Sequence, residues 1–254
     1  MKTIAVVQRK GGNRKSTSCL NLARCLSLKG KKVLIVDLDD QKNSTQSILF
    51  ENKIVHTVDE VLVNDELFVK DAFTATDWEG VKVIAGSSNF SGVIRELDGE
   101  VGSHLVLKEK LDEVKVDFDF CLVDTSPSLN ILVVNALCAA DFAFIPLSSK
   151  YFSLQGLGQS LESISKVKKR LSPDLKILGI AFVIYDARAS LSKEVVSKAS
   201  EEYKDYVLKS VVNQNVRIEE AQTARMTIFD YKSTDNGAVQ YEALCEEILS
   251  IMEA

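Results

Sequence analysis

Residues 4 to 23 constrain this chain more than any other stretch. The apolar run Ile4-Ala5-Val6-Val7 passes through Gln8-Arg9-Lys10-Gly11-Gly12-Asn13-Arg14-Lys15-Ser16-Thr17 into the helical pattern Ser18-Cys19-Leu20-Asn21-Leu22-Ala23. A short strand that runs through a glycine pair into Lys-Ser-Thr and a helix builds a phosphate-binding loop, because loop amides and the helix N-terminus can both face an anion. The strict pattern G-x-x-x-x-G-K-[ST] nevertheless fails twice, since Arg9 and Arg14 stand at its two glycine positions.

The rest of the chain predicts where such a loop would sit. Apolar runs recur at 3–7, 33–37, 81–85, 119–124, 142–147 and 177–185, with helix-length amphipathic stretches between most of them. That alternation predicts an α/β fold, a mostly parallel sheet with helices on both faces. With no repeat, low-complexity tract or Pro/Gly-rich linker, 1–254 is expected to form a single domain. The first helix, about 15–29, should close at Gly30 in a left-handed cap. Residues 43–80 read as short helices and loops, with Trp78 as a packing residue. A helix over 153–170 ends in a cationic turn that the helix dipole explains. The last helix, about 236–252, is expected to pack on the core through Val239, Leu244, Ile248 and Ile251. Its charges are all glutamates, which argues against an anionic membrane surface.

Two strands end in acids. Lys32-Val33-Leu34-Ile35-Val36 delivers Asp37-Leu38-Asp39-Asp40 to the sheet's carboxyl edge, where ligands bind in open α/β sheets. Phe118-Asp119-Phe120-Cys121-Leu122-Val123 ends in Asp124, which downstream of Lys15-Ser16 suggests a carboxylate that holds Mg²⁺ through water. The net charge of −5 argues against a molecule that is basic all over, while leaving room for a local basic patch. Five scattered cysteines without a C-x-x-C pair read as buried free thiols of a reducing compartment. The four-residue apolar run at the start falls short of a signal-peptide core of about 7–15 residues, and no segment approaches the roughly 20 apolar residues of a membrane span. A cytoplasmic location is expected.

Taken together, Lys10-Gly11-Gly12-x-x-Lys15-Ser16-Thr17, Val33-Leu34-Ile35-Val36-Asp37-Leu38-Asp39-x-Gln41 and Asp124-Thr125-Ser126-Pro127-Ser128-Leu129 resemble the deviant Walker A ATPases of the ParA/MinD group. Asn135-Ala136-Leu137, Ile145-Pro146-Leu147, Tyr151-Phe152-Ser153-Leu154, Tyr185-Asp186-x-Arg188, Asn215-Val216-Arg217 and Gly237-Ala238-x-x-Tyr241 follow in family order, so the resemblance spans nearly the whole chain. It is nearest to the short, Soj-like ParA proteins that partition plasmids or chromosomes.

The resemblance implies a homodimer closed by ATP and Mg²⁺ that binds DNA without sequence preference, associates with the nucleoid and is regulated by a ParB-type partner. It implies that Lys10 reaches the partner's phosphates and that Lys15 holds the β- and γ-phosphates. Gly11, Gly12, Asn13, Arg14, Lys15, Ser16 and Thr17 would form the nucleotide loop. Ser16, Asp37 and Asp124 would serve the metal, and Asp39 would position the attacking water. Arg217 and Arg188 are the DNA-binding candidates.

The departures are Arg14 for the glycine before Lys15, Asp40 for the proline after Asp39, and Lys42 for a glycine. Val212-Asn213-Gln214 replaces Ile-Pro-Arg near the expected adenine pocket. Arg14 demands either a changed loop path or a guanidinium turned outward or toward the phosphates, so reduced ATP affinity or turnover is expected. The alternatives are a nucleotide-binding- or hydrolysis-deficient relative acting as a DNA-binding or scaffold protein, and a MinD-like ATPase that positions a protein cargo.

Overall fold

Strand residues of alternating direction build the molecule in three layers. In β1 (Lys2–Val6) and the residue after it, Ala5 and Val7 point to one face while Ile4 and Val6 point to the other. The same split separates Leu34, Val36 and Leu38 from Val33 and Ile35 in β2 (Val33–Leu38), and Cys121 and Val123 from Phe120 and Leu122 in β5 (Phe120–Thr125). Strands apolar on both faces must be covered on both. Each fully buried Val, Leu or Ile contributes about 1.5–3 kcal/mol toward that covering.

The computed structural model describes residues 1–49 and 53–253. Its sheet has seven strands in the order β3-β4-β2-β5-β1-β6-β7, where β3 is Thr74–Ala75, β4 Val81–Ile84, β6 Phe142–Ser148 and β7 Lys176–Ile184. All pairings are parallel except β3 with β4. Six strands fall where the apolar runs predict them. The two residues of β3 are too few to carry a pattern.

One face is covered by α1 (Lys15–Leu28) and α11 (Asn236–Glu253), which bury Leu22, Leu26, Tyr241, Leu244 and Ile248. The other face is covered by α3 (Val58–Val63), α4 (Phe90–Leu97), α5 (Val106–Asp112), α6 (Ile131–Ala139) and α7 (Tyr151–Arg170). On the same face as α7, α8 (Ser190–Glu202) adds Val195 and Ala199 to the core, while α2 (Asn43–Ile48) and α9 (Val216–Thr223) flank the cleft above the sheet's carboxyl edge. The five-residue α10 (Ile228–Lys232) joins α9 to α11.

The end of α1 follows its sequence: Gly30 takes φ +75 and its N–H donates to the Ser27 carbonyl at 2.8 Å. Trp78 packs against the α1–α11 core with the Arg24 guanidinium over its ring. The face of α11 needs correcting. Val239 is 58% exposed and Ile251 lies partly in solvent, while Ala238, Tyr241, Cys245 and Met252 join Leu244 and Ile248 in the core. The aliphatic count alone misses a stripe that runs through a tyrosine and a cysteine. All five cysteines are buried and free.

β1 lies between β5 and β6, so the chain leaves it toward β2 on one side and later reaches β6 and β7 on the other. The carboxyl end of β1 is therefore the point where the winding reverses, and a crevice opens there.

Candidate phosphate-binding cleft

The loop between β1 and α1 lines a cleft of about 720 Å³ with Gly11, Gly12, Asn13, Arg14, Lys15, Ser16 and Thr17. Asp39, Gln41, Asn43, Pro127, Gln214, Glu219, Gln222 and Arg225 complete much of its wall. The first turn of α1 offers unpaired amides and the positive end of the helix to this space, which suits an anion.

Asn13 fixes the loop from below. Its Nδ2 donates to the Lys10 carbonyl at 2.9 Å, and its Oδ1 accepts the Ser148 N–H of β6 at 2.8 Å. Its side chain is thereby committed to the scaffold.

Arg14 keeps the turn that a glycine would favour. Its backbone sits at φ 54, ψ 40, in the left-handed region, at a strain of about 1–2 kcal/mol for an L-residue. The guanidinium turns neither to solvent nor along the loop. It is only 8% exposed, and Nη2 lies 2.8 Å from Oε1 of Glu219 on α9. Gln222, one turn further on α9, donates to the Thr17 hydroxyl. Two side-chain contacts thus strap α9 to the junction of loop and helix. Lys42, the other replaced glycine, is also left-handed at φ 52, and so is Arg225 at φ 56 after the end of α9. Among the described residues these are all the non-glycine residues at positive φ, and two of the three line the cleft.

The cleft floor gathers charge. Lys15 is buried, and that burial lowers its pKa against the pull of Asp124 and Asp39. Burial raises the Asp124 carboxyl, while the Ser16 and Ser44 hydroxyls and Lys15 beside it work in the opposite direction. Ser44 Oγ donates to Asp124 Oδ2 at 2.7 Å, leaving Oδ1 buried without a hydrogen-bond partner.

Asp37 is differently employed. Its Oδ2 accepts from the Thr45 amide at 2.8 Å and the Thr45 hydroxyl at 2.7 Å, and its Oδ1 accepts the Asp39 N–H at 3.1 Å. It fastens α2 and the Asp39 corner to the sheet. Asp39 in turn accepts the Gln41 N–H at 3.0 Å.

Burial and then the Asp124 charge push Asp37 up to about 7; burial, with a smaller push from Asp124, takes Asp39 to about 6. Both values exceed those of an unfolded carboxylate, so the folded chain binds more protons in between. Their contribution to stability is full below about pH 4 and lost as pH rises through about 6 and 7. Without metal or nucleotide, the thermal midpoint should therefore be higher at about pH 5.5 than at about pH 7.5, and Asp37→Asn should narrow that gap. Thermal unfolding of both proteins at the two pH values checks it; a gap unchanged by the substitution would refute the assignment.

Lys10 stands apart from the cleft wall. Its ammonium lies over the Phe152 ring at 4.6 Å, at the start of α7. Gly156 permits this docking, since a Cβ there would come within 2.9 Å of Lys10 Cβ. Arg217, at the start of α9, pairs with Glu220 at 2.6 Å, and Glu220 also accepts from Tyr231. Arg188 is exposed in the loop after β7, where its N–H donates to Asp186. The two arginines rise from neighbouring segments, because Tyr185 and Asn213 form a parallel bridge. Gln214 reaches the cleft wall, whereas Val212 is core.

Sequence reasoning missed Ser44, Thr45, Glu219, Gln222 and Phe152. Adjacent hydroxyls at 44 and 45, shortly after an acid-tipped strand, were the available signal for the first two.

Comparison with known proteins agrees with this architecture. The AAA domain family matches residues 1–177. The chromosome-partitioning ATPase Soj of Treponema pallidum (strain Nichols) is 37% identical, covering 98% of this chain and 97% of that protein. The chromosome partitioning protein ParA of Caulobacter vibrioides is 33% identical, over 98% of this chain and 94% of that one. Among solved structures, a cobyrinic acid a,c-diamide synthase from Mycobacterium smegmatis with bound ATP analog and magnesium superposes with a TM-score of 0.87. It is 29% identical and covers 100% of this chain and 96% of that one. With a seven-stranded P-loop fold and such identity over nearly its full length, the chain belongs to the ParA/Soj family of chromosome-partitioning ATPases.

Proposed function

We propose that this chain binds ATP with Mg²⁺ in the cleft above Lys15 and hydrolyses it. On this reading it pairs with a second copy in the ATP-bound form, and that form binds DNA without sequence preference until a ParB-type partner stimulates hydrolysis. The observation that carries the reading is the buried Lys15 ammonium at the N-terminus of α1, flanked by Asp39 and Asp124. Phosphoryl transfer needs positioning and charge neutralisation more than covalent chemistry, and this arrangement offers both.

The residues fit the metal. A buried carboxylate oxygen with no donor, Asp124 Oδ1, calls for a cation, and Ser16 lies beside the same carboxylate. Mg²⁺ is usually held by one or two protein oxygens, phosphate and several waters, so a closed protein cage is not required. When bound, it would neutralise charge on the phosphates. Lys15 would hold the phosphate chain, the loop amides from Gly11 to Thr17 would orient it, and Asp39 in the cleft wall would orient water. Arg14 and Gln222 hold α9 against the loop as one wall of the cleft.

Lys10 completes the dimer. Its contact with Phe152 is worth about 0.5–1 kcal/mol at an exposed site, weak enough to be exchanged for phosphate oxygens of a second copy. DNA affinity would rest on Arg217 and Arg188, with Glu220 competing for Arg217. No helix among the described residues is long and apolar enough to cross a membrane.

A DNA shift assay with ATP, ADP and no nucleotide tests the cycle. Binding should require ATP and fall with salt, and Arg217→Ala should weaken it and lower the salt slope by about one. Equal binding with ADP would refute the cycle, and an unchanged slope would remove Arg217 from the DNA surface.

A further inference from the structure

We propose that Ser44 is a positioning residue for the divalent cation: its hydroxyl holds Asp124 Oδ2 so that Oδ1 remains the oxygen offered to the metal. The proposal rests on the reading that Asp124 and Ser16 hold Mg²⁺ with the nucleotide.

Three observations support it. Ser44 and Asp124 are both fully buried, and their 2.7 Å hydrogen bond joins α2 to the end of β5. A carboxylate at a sheet edge can rotate unless one oxygen is held, and the Ser44 hydroxyl holds Asp124 Oδ2. The other oxygen, Oδ1, is buried without a partner, an arrangement that is costly unless a cation or donor meets it.

Anchoring the helix does not explain Ser44, because its neighbour already does that. The Thr45 amide and hydroxyl both donate to Asp37, and the same hydroxyl accepts the Gly86 N–H at 2.8 Å. With α2 fixed by Thr45, the Ser44 hydroxyl is free to serve the carboxylate. The bond also links the metal acid to the segment that begins at Asp39, since the Lys42 N–H donates to the Asp39 carbonyl at 2.9 Å immediately before α2.

The test is a Mg²⁺ titration of a fluorescent ADP complex, read by fluorescence rather than turnover, for the full chain and for Ser44→Ala. The Mg²⁺ concentration at half-effect should rise about tenfold in Ser44→Ala, the usual consequence of losing a partner that orients a metal ligand. Nucleotide affinity in EDTA should stay unchanged. An unchanged Mg²⁺ requirement would overturn the proposal. So would an equal loss of affinity with and without Mg²⁺, which is the mark of a purely structural role. Asp124→Asn separates the two levels of the argument. If it titrates like the unsubstituted chain, the metal reading itself fails; if it is shifted and Ser44→Ala is not, only the role of Ser44 fails.

Discussion

Lys15→Ala should weaken Mg-ATP binding by about a hundredfold, or roughly 3 kcal/mol at the usual strength of charge-assisted phosphate contacts. The ammonium is buried at the first residue of α1, so a bound phosphate would meet it with little intervening water. Its removal also leaves Asp39 and Asp124 without the Lys15 counter-charge. Those acids should then hold protons to higher pH, and the empty cleft should repel a polyanion. Lys15→Gln keeps most of the volume and serves as the control for packing. Calorimetric titration of both variants checks the expectation, and retained micromolar affinity in either would remove Lys15 from the phosphate site.

Asp39→Ala should behave differently, cutting ATP hydrolysis about a hundredfold or more while leaving nucleotide affinity within a few-fold, as expected when a group that handles the nucleophile's proton or orientation is lost. The geometry underlies this split. Asp39 lines the cleft as a buried residue under the influence of Lys15, with one oxygen turned to the Gln41 amide. Asp37 behind it carries the load of holding α2, so the corner should survive the substitution. Phosphate release in single-turnover conditions, measured beside the binding constant, distinguishes the outcomes. A parallel fall in both would mean that Asp39 supports the loop instead of the water.

The fold was legible because its strands are apolar on both faces and its phosphate loop is written in consecutive residues. Gly30 also reads directly, since a helix that meets glycine after its last apolar residue ends there. The exposed Val239 of α11 and the two-residue β3 were not legible, because one depends on tertiary packing and the other on a single neighbour strand.

At the site, residues adjacent in the loop could be recognised together, whereas contacts that cross the sheet could not. Ser44 to Asp124, Arg14 to Glu219 and Thr17 to Gln222 each join distant segments. Asp37 shows the limit most clearly: an acid at a strand end looks available for metal in sequence, and here both its oxygens already accept hydrogen bonds. The glycine replacements at 14 and 42 were visible as departures. Only the structure shows that arginine and lysine keep left-handed turns there, so the substitution changes the cleft wall and leaves the turn in place.

The central claim is that a phosphate loop with Arg14 in a left-handed turn still holds a nucleotide. Titrating the unsubstituted chain with Mg-ATP by calorimetry, beside Lys15→Ala, tests it most directly. The account predicts saturable binding with a Kd below about 100 µM, within the usual range for enzyme substrates, that is weakened about a hundredfold in the variant. Absence of binding at millimolar ATP, or an affinity left unchanged by the loss of Lys15, would contradict it.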